Sequence, residues 1–448
     1  MNIRNKKITI IGAVRSGIGA AKLAKRFGAI PFVSDSGDVV GLLNSVEALK
    51  KNDIEFEIGS HSDRAYDCDL MVVSPGVPSD AEVLKNALSK KIKTISEVEF
   101  AFSFCKGKII AITGTNGKTT TTDLCGYLFN YCGEKAYTAG NIGLAFSEIA
   151  ADVKENEFVS LEVSSFQLDL IDKFKPDVGM ILNITPDHLN RYDYKVENYA
   201  ASKQRIYENQ KEDDFLILNK DSELLMNHWK KSRSQVYYFS ISSKVENGCF
   251  VENGLIKFAI NGKELFSCKR EDIFLRGEHN LQNAMSVIIA AKIYDLDNNK
   301  IIDALKNYRG VPHRLELVRE INSVKFINDS KATNVDSVWY ALKSFDEPIF
   351  LILGGQDKGN DYSLIEPLVI EKVKKIYAIG SSAEKVFNYF HKKVKVEIKK
   401  DLEEVINIAI NETRSGDLVL LSPACASFDM FNNYEHRGDV FKQLINQL

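Results

Sequence analysis

Residues Lys108 to Thr113 read K-I-I-A-I-T, and G-T-N-G-K-T follows from Gly114 to Thr119. The two stretches overlap the run A-I-T-G-T-N-G-K-T-T and constrain the fold more than any other part of the chain. A short apolar run bounded by glycine predicts a buried strand, and T-T-D-L-C-G-Y-L-F after Lys118 predicts a helix. A strand, a glycine-rich loop and a helix in that order form a phosphate cradle. The glycines let backbone N–H groups turn inward, and the helix N-terminus adds partial positive charge. Lys118 supplies a full positive charge, and the Thr119 hydroxyl can reach Mg2+. The pattern G-x-x-x-x-G-K-[ST] calls for glycine at position 112, where this chain has Ile112. The shorter G-x-x-G-K-T match therefore rests on its context. Gly114, Thr115, Asn116, Gly117, Lys118, Thr119 and Thr120 are the expected phosphate-binding residues.

The cradle lies more than a hundred residues into a chain of 448, too long for one core at roughly 150 residues per domain. Strand-like runs alternating with helical ones predict three doubly wound α/β domains. Their expected bounds are 1–96, 97–310 and 311–448, with the central one carrying the cradle. Between Lys230 and Ile273 short strands alternate with Asn247-Gly248, Asn253-Gly254 and Asn261-Gly262. These dipeptides predict hairpins added to the central sheet. In the last segment V-K-F-I-N-D, I-F-L-I-L-G-G, K-I-Y-A-I-G and D-L-V-L-L-S-P read as four strands.

Composition narrows the class. Hydrophobic residues at 44% and charged residues at 27% are ordinary for a soluble globular chain. A net charge of −3 lacks the basic surplus of a nucleic-acid binder. No apolar run reaches the ~20 residues of a membrane span. The apolar stretch after the first lysines ends at Arg15 without a cleavage pattern, so it reads as a first strand and not as a signal peptide. Seven cysteines without C-x-x-C spacing suggest inert thiols in a cytoplasmic protein.

Four other positions have residue types suited to chemistry. Glu162 ends F-V-S-L-E-V, where a carboxylate can hold Mg2+ beside the cradle or simply close a surface strand. His188 ends I-L-N-I-T-P-D-H, beside Asp187, and reads as a metal ligand or as a satisfied loop histidine. Lys203 lies in Y-A-A-S-K-Q-R-I-Y-E, and its spacing alone marks a solvated helix lysine. Gly12, Gly17 and Gly19 fall short of G-x-G-x-x-G, but Asp35 ends the next strand, where an acid can meet a ribose hydroxyl. That first loop is compatible with a nucleotide-like ligand, a nicotinamide or a purely structural turn.

Taken together, the motifs resemble the Mur ligase family along nearly the whole chain, from I-I-G-A-V-R-S-G to S-P-A-C-A-S-F-D-M-F-N-N-Y-E-H-R-G. G-T-N-G-K-T, L-E-V-S-S-F-Q-L, N-I-T-P-D-H, G-E-H-N-L-Q-N-A, V-P-H-R and N-D-S-K-A-T-N occur in the family's order. N-D-S-K-A-T-N together with S-P-A-C-A-S points to the branch that adds D-glutamate. The resemblance implies an ATP-dependent amide ligase that acts on UDP-N-acetylmuramoyl-L-alanine through an acyl phosphate. It implies two Mg2+ sites, one at Thr119 and Glu162 and one shared by His188 and a carbamate formed on Lys203 by CO2. It places Asn280, Asn283, Arg314 and Asp329 around the adenosine. It places Ser16, Asp35 and Ser74 on the uridine diphosphate handle and Asn141 at the middle of that substrate. Lys331, Thr333, Lys358, Ser427, Phe428 and Tyr434 fall around the amino acid, and two lysines suit a dicarboxylate. Arg15, at an apolar position of the first loop, and Tyr434, where phenylalanine is frequent, depart from the pattern. The resemblance also implies no nucleic-acid partner, no membrane insertion and a monomer. Another Mur ligase or a folylpolyglutamate synthase-like ligase is the nearest alternative. The folate enzyme lacks such an N-terminal domain, and the D-N-P-R of diamino-acid-adding ligases is absent. A dehydrogenase would rest on Gly12 to Asp35 alone and leaves Lys118 unexplained, and a third class is a P-loop regulatory or motor protein that hydrolyses ATP without a small-molecule acceptor.

Overall fold

The computed structural model describes residues 1–448 except 39–41, 79, 142, 188 and 358, and describes no side chain at 190 and 336. The chain divides into two compact units. The first holds Met1–Phe274 and His279–Tyr308, the second Leu275–Glu278 and Arg309–Leu448.

Two sheets build the first unit. One contains β1 (Lys7–Ile11), β2 (Ile30–Asp35), β3 (Glu55–Ile58), β4 (Leu70–Val73) and β5 (Thr94–Ser96), all parallel, in the order β3-β2-β1-β4-β5. The chain reverses its winding between β1 and β4. The tips of these two neighbours therefore border the crevice where open α/β sheets take ligands.

The other sheet contains β6 (Lys108–Thr113), β7 (Ala136–Gly140), β8 (Phe158–Glu162), β9 (Val178–Ile181) and β10 (Phe215–Asn219), extended by β11 (Gln235–Ser240), β12 (Gly248–Glu252), β13 (Leu255–Ile260) and β14 (Lys263–Lys269). Its order is β14-β13-β12-β11-β10-β9-β6-β8-β7, which puts β6 between β9 and β8. Asn253-Gly254 and Asn261-Gly262 make the expected hairpin turns, with φ of 53° and 74° in the first and 51° and 75° in the second. Asn247-Gly248 does not. Here β12 runs parallel to β11, and Gly248 (φ 129°) lies so close to Tyr238 that an added Cβ would meet its carbonyl oxygen at 1.8 Å.

One apolar cluster joins the two sheets, from Ile8 and Ile10 through Val98 and Phe100 to Ile109 and Leu161. Two buried carboxylates fix the connecting helix Glu97–Phe102. Glu97 accepts from the Ser147 N–H at 2.7 Å, while Glu99 accepts from the N–H groups of Asp172, Lys173 and Phe174 at 3.0, 3.0 and 2.7 Å. Burial pushes the Glu97 carboxyl up to about 7, against the pull of its bonds from Ser147.

The second unit has one sheet of β15 (Glu316–Ile321), β16 (Val324–Asn328), β17 (Ile349–Gly354), β18 (Val373–Ile379), β19 (Lys395–Ile398) and β20 (Leu418–Leu421). The order is β15-β16-β20-β17-β18-β19, and only β15 runs antiparallel. The runs I-F-L-I-L and L-V-L-L bury both faces. Leu351, Leu353, Leu418 and Leu420 feed one core, and Phe350, Ile352, Val419 and Leu421 the other. Two of these strands go beyond the four expected. β15 and β19 are polar edge strands whose alternation is masked by charged residues.

All seven cysteines are free thiols. Among the described residues no helix is long and apolar enough to cross a membrane.

Candidate active site

The site grows from the end of β6. The chain turns through Gly114 (φ 155°) and Gly117 (φ 84°) into the helix Lys118–Cys132. A Cβ on Gly117 would lie 2.6 Å from the Asn283 Oδ1, so the turn has room only for glycine. Asn183, just beyond β9, wires the loop in place. Its Oδ1 accepts from the N–H groups of Thr115 and Asn116 at 3.1 and 2.9 Å, and its Nδ2 donates to the Asn116 carbonyl at 3.0 Å. The Thr115 hydroxyl donates to the Thr185 carbonyl at 3.1 Å and accepts from the Thr185 N–H at 3.0 Å. The loop is held by protein groups alone, so it needs little reorganisation to receive phosphate.

Two lysines converge on it. The Lys118 ammonium donates to the carbonyls of Gly114 and Thr115 at 3.0 and 2.8 Å. Lys203 reaches the same Gly114 carbonyl at 2.8 Å and packs over the Tyr199 ring at 4.5 Å. Lys203 is only 1% exposed, which overturns the solvated position its spacing suggested. The physical reason is tertiary: its helix Val196–Gln204 turns this face inward, where the Gly114 carbonyl of the loop receives the ammonium, and Tyr199 one turn earlier on the same helix covers it. Burial, reinforced by the nearby Lys118 charge, holds the Lys203 amine well below the ordinary lysine value. Asp187, Asp169 and Glu162 pull the other way and are outweighed.

Register places the carboxylate. Glu162 pairs with Ile112 across β8 and β6 and with Gly140 across β8 and β7. It is 2% exposed, so the surface-strand reading fails. The Thr119 hydroxyl donates to its Oε2 at 2.9 Å and the Asn141 Nδ2 to its Oε1 at 3.1 Å. A hydroxyl and a carboxylate beside a phosphate loop are the hard oxygen donors that Mg2+ takes, with phosphate oxygens and water completing its shell. Among the described residues no three His, Cys, Asp or Glu side chains gather as a metal set. His188 lies outside the described residues.

Lys118, Asn141 and Lys203 line a cavity of about 250 Å3 together with Pro75, Gly76, Ser164, Ser165, Phe166, Asp187 and Tyr199. On the helix Glu278–Ile293, Asn280 and Asn283 are both buried, and the Asn283 Nδ2 donates to the Asn280 Oδ1 at 3.3 Å.

The first sheet presents its own constellation at the winding switch. The Asp35 carboxylate accepts from the N–H groups of Ala13 and Gly37 at 2.6 and 2.7 Å. Ser74 donates to the Gly12 carbonyl at 3.4 Å, and a Cβ on Gly12 would sit 2.8 Å from Ser74. Ser16 opens the helix Arg15–Arg26 and is half-buried. Arg15 donates to the Gly143 carbonyl, tying the first loop to the segment after Asn141.

In the second unit the expected residues cluster where β16 and β20 end. Asp329 is buried, accepting from the Ser422 hydroxyl at 2.8 Å and the Leu315 N–H at 3.3 Å. Burial pushes its carboxyl up to about 7, although Arg314 draws it down. The Arg314 Nε is buried without a hydrogen-bond partner among the described residues. The Lys331 ammonium lies 5.6 Å from the Tyr434 ring centroid. The Thr333 N–H donates to the Lys331 carbonyl at 2.9 Å. Ser427 is buried and Phe428 is 68% exposed. Lys358 lies outside the described residues.

Sequence reasoning passed over Arg437. It is 1% exposed and donates to the Ser330 hydroxyl and carbonyl at 2.9 and 2.7 Å. It also reaches the Cys425 carbonyl at 3.2 Å from both terminal nitrogens and the Ala426 carbonyl at 3.4 Å. Burial draws its guanidinium down to about 10. It sutures the turn before Lys331 to the turn before Ser427. The one signal for it was its place in Y-E-H-R-G. Asn183 opens N-I-T-P-D-H and Tyr199 opens Y-A-A-S-K, and those places were their one signal.

A phosphate loop, a buried carboxylate beside its threonine and a desolvated lysine define a nucleotide-dependent catalytic site. Three family models match the chain: "MurD N-terminal domain" over residues 7–83, "Mur ligase middle domain" over 112–291 and "Mur ligase, glutamate ligase domain" over 313–425. The UDP-N-acetylmuramoylalanine–D-glutamate ligase of Chloroherpeton thalassium is 42% identical over 463 residues, covering 100% of this chain and 99% of that one. Its counterpart from Cytophaga hutchinsonii is 44% identical over 451 residues, covering 99% of both. The crystal structure of UDP-N-acetylmuramate-alanine ligase from Thermotoga maritima superposes with a TM-score of 0.64 at 18% identity, covering 99% of each chain, and shares the fold. The chain belongs to the Mur ligase family, whose members use ATP and Mg2+.

Proposed function

We propose that the protein joins D-glutamate to UDP-N-acetylmuramoyl-L-alanine, forming an amide at the expense of ATP in peptidoglycan precursor synthesis. One observation carries the reading: Lys118 and Lys203 meet at the Gly114 carbonyl, beside the buried Thr119–Glu162 pair. The same two relatives, 42% and 44% identical over the whole chain, have this activity in their names.

A carboxylate oxygen of the alanyl end attacks the γ-phosphorus, the bond to the β-phosphate oxygen breaks, and ADP leaves. Both reactants are anionic, so attack needs neutralisation. Lys118 leaves its loop carbonyls for the β/γ-phosphates, and the N–H groups at the start of the helix Lys118–Cys132, beyond the two that Asn183 holds, take the rest. Thr119 and Glu162 would hold Mg2+, which would supply further charge neutralisation. The D-glutamate amine then attacks the acyl phosphate carbonyl, orthophosphate leaves, and the amine gives up a proton. An acyl phosphate hydrolyses readily, so water must be kept from it.

Lys203 is the candidate for carbamylation. Attack on CO2 requires a neutral amine, which burial favours, and the nitrogen gives up a proton as the N–C bond forms. The product is an anion that, with His188, would hold a second Mg2+. Asn280, Asn283, Arg314 and Asp329 contact the adenosine. Ser16, Asp35 and Ser74 hold the uridine diphosphate handle within a domain of residues 1–96. Residues 97–310 form the ATP domain. Residues 311–448 form the domain that binds D-glutamate through Lys331, Thr333, Lys358, Ser427, Phe428 and Tyr434. The enzyme works as a cytoplasmic monomer.

The test is phosphate release with ATP, Mg2+ and the muramoyl substrate while D-glutamate, L-glutamate, L-lysine or L-alanine is added in turn. Release only with D-glutamate is expected. Equal release without an amino acid would reduce the protein to an ATPase.

A further inference from the structure

Arg191 has no role in the chemistry above, yet it stands at the edge of the cavity with most of its donors unused. Its guanidinium lies over the Phe166 ring at 4.0 Å, and Phe166 lines the cavity. Its Nη1 donates to the Val77 carbonyl at 3.4 Å, and the preceding residues Pro75 and Gly76 line the same cavity. Its Nε is buried and has no hydrogen-bond partner among the described residues. A guanidinium carries five donors in a fixed fork. Here one is engaged, at the long limit of a hydrogen bond.

The side chain is also held in place from behind. The neighbouring Tyr192 donates to Asp169 at 2.9 Å and stacks on Phe166 at 6.4 Å. Asp169 in turn accepts from the Ser202 hydroxyl at 2.5 Å. Tyr192 packs against Tyr199, whose hydroxyl donates to the Thr115 hydroxyl of the phosphate loop at 3.3 Å. An aromatic ladder thus runs from the cradle to Arg191. After Tyr192, Asp193 and Tyr194 adopt left-handed conformations, with φ of 54° and 56°. Such strain persists only where its surroundings enforce it.

An unpaired, prepositioned guanidinium beside a cavity fits a planar or tetrahedral anion. We propose that Arg191 binds an anionic oxygen of the sugar-nucleotide substrate, taken at the rim between Phe166 and the Pro75–Val77 turn. This rests on the reading that the substrate is a uridine-diphosphate-linked acid. That acid has two anionic stations, the diphosphate and the terminal carboxylate, and the experiment separates them.

Binding of UDP, UDP-N-acetylglucosamine and UDP-N-acetylmuramoyl-L-alanine is measured by calorimetry on the full chain, for wild type, Arg191→Lys and Arg191→Met. Binding of a non-hydrolysable ATP analogue and thermal unfolding are followed alongside. The muramoyl substrate should bind Arg191→Met about tenfold or more weakly, and Arg191→Lys at an intermediate level because charge survives while the fork is lost. The ATP analogue should bind all three equally. If the diphosphate is the partner, all three uridine ligands weaken. If the carboxylate is, only the muramoyl substrate does. The proposal is overturned if both variants bind the muramoyl substrate as wild type does, whether or not their unfolding temperature drops. Wild type that binds none of the uridine ligands would instead overturn the functional reading itself.

Discussion

The phosphate loop of the first unit and the paired turns of the second solve the same problem in opposite ways. Around Gly114 the reactive side chains themselves are buried and bonded. Lys203 is 1% exposed and Glu162 2%, and each already has a protein partner. Around Ser330 and Cys425 the backbone is held instead. Arg437, itself buried, grips three carbonyls, while Phe428 stands 68% exposed beyond them. The first arrangement tunes the lysine and fixes the carboxylate in place: burial holds the Lys203 amine below the ordinary lysine range, and Glu162 is tied to Thr119. The second sets shape and leaves side chains for a ligand to order. Groups that must have an unusual protonation state need desolvation, and groups that only recognise can stay in water.

Three substitutions probe that contrast. The largest effect belongs to Lys203→Ala. Ligase turnover should fall by ~10³-fold, the scale of losing an electrostatic stabiliser, and short carboxylates added to the assay should restore part of it. Full activity in the variant would remove Lys203 from the chemistry. Next comes Arg437→Ala, which strands the carbonyls of Ser330, Cys425 and Ala426. At about 1 kcal/mol or more for each unpaired group, denaturant unfolding should show a loss on the order of 3 kcal/mol. A stability equal to wild type would mean that the two turns hold themselves. Smallest is Phe428→Ala. Stability should stay within about 0.5 kcal/mol, as for exposed positions generally, while the KM for D-glutamate rises a few-fold with kcat nearly unchanged. A stability loss as large as that of Arg437→Ala would erase the distinction between the two regions.

Much of this was legible because it is local. Gly114 and Gly117 announce a turn that only they can make, and the apolar run of β6 announces a strand. Asn253-Gly254 and Asn261-Gly262 announced hairpins for the same reason. Asn247-Gly248 misled because a parallel partner, and not the dipeptide, decides what its strand does. The edge strands β15 and β19 escaped notice since charged residues break up their apolar alternation. Lys203 could be singled out only through the family's pattern. Its helix shows no strong apolar face, and the residues that bury it come from Gly114 and Tyr199.

The sequence by itself determined the phosphate cradle, the alternation of strands and helices, and the presence of an acid, a histidine and two lysines in motif order, because turn chemistry and periodicity act over a few residues. Tertiary structure alone decided that Lys203 loses its solvent, that Glu162 meets Thr119, that Arg437 binds two distant turns and that Arg191 keeps its donors. Desolvation and hydrogen-bond partnership are properties of what surrounds a side chain in space, and the decisive partners here lie far off in sequence, Gly114 for Lys203, Thr119 for Glu162 and Ser330 for Arg437.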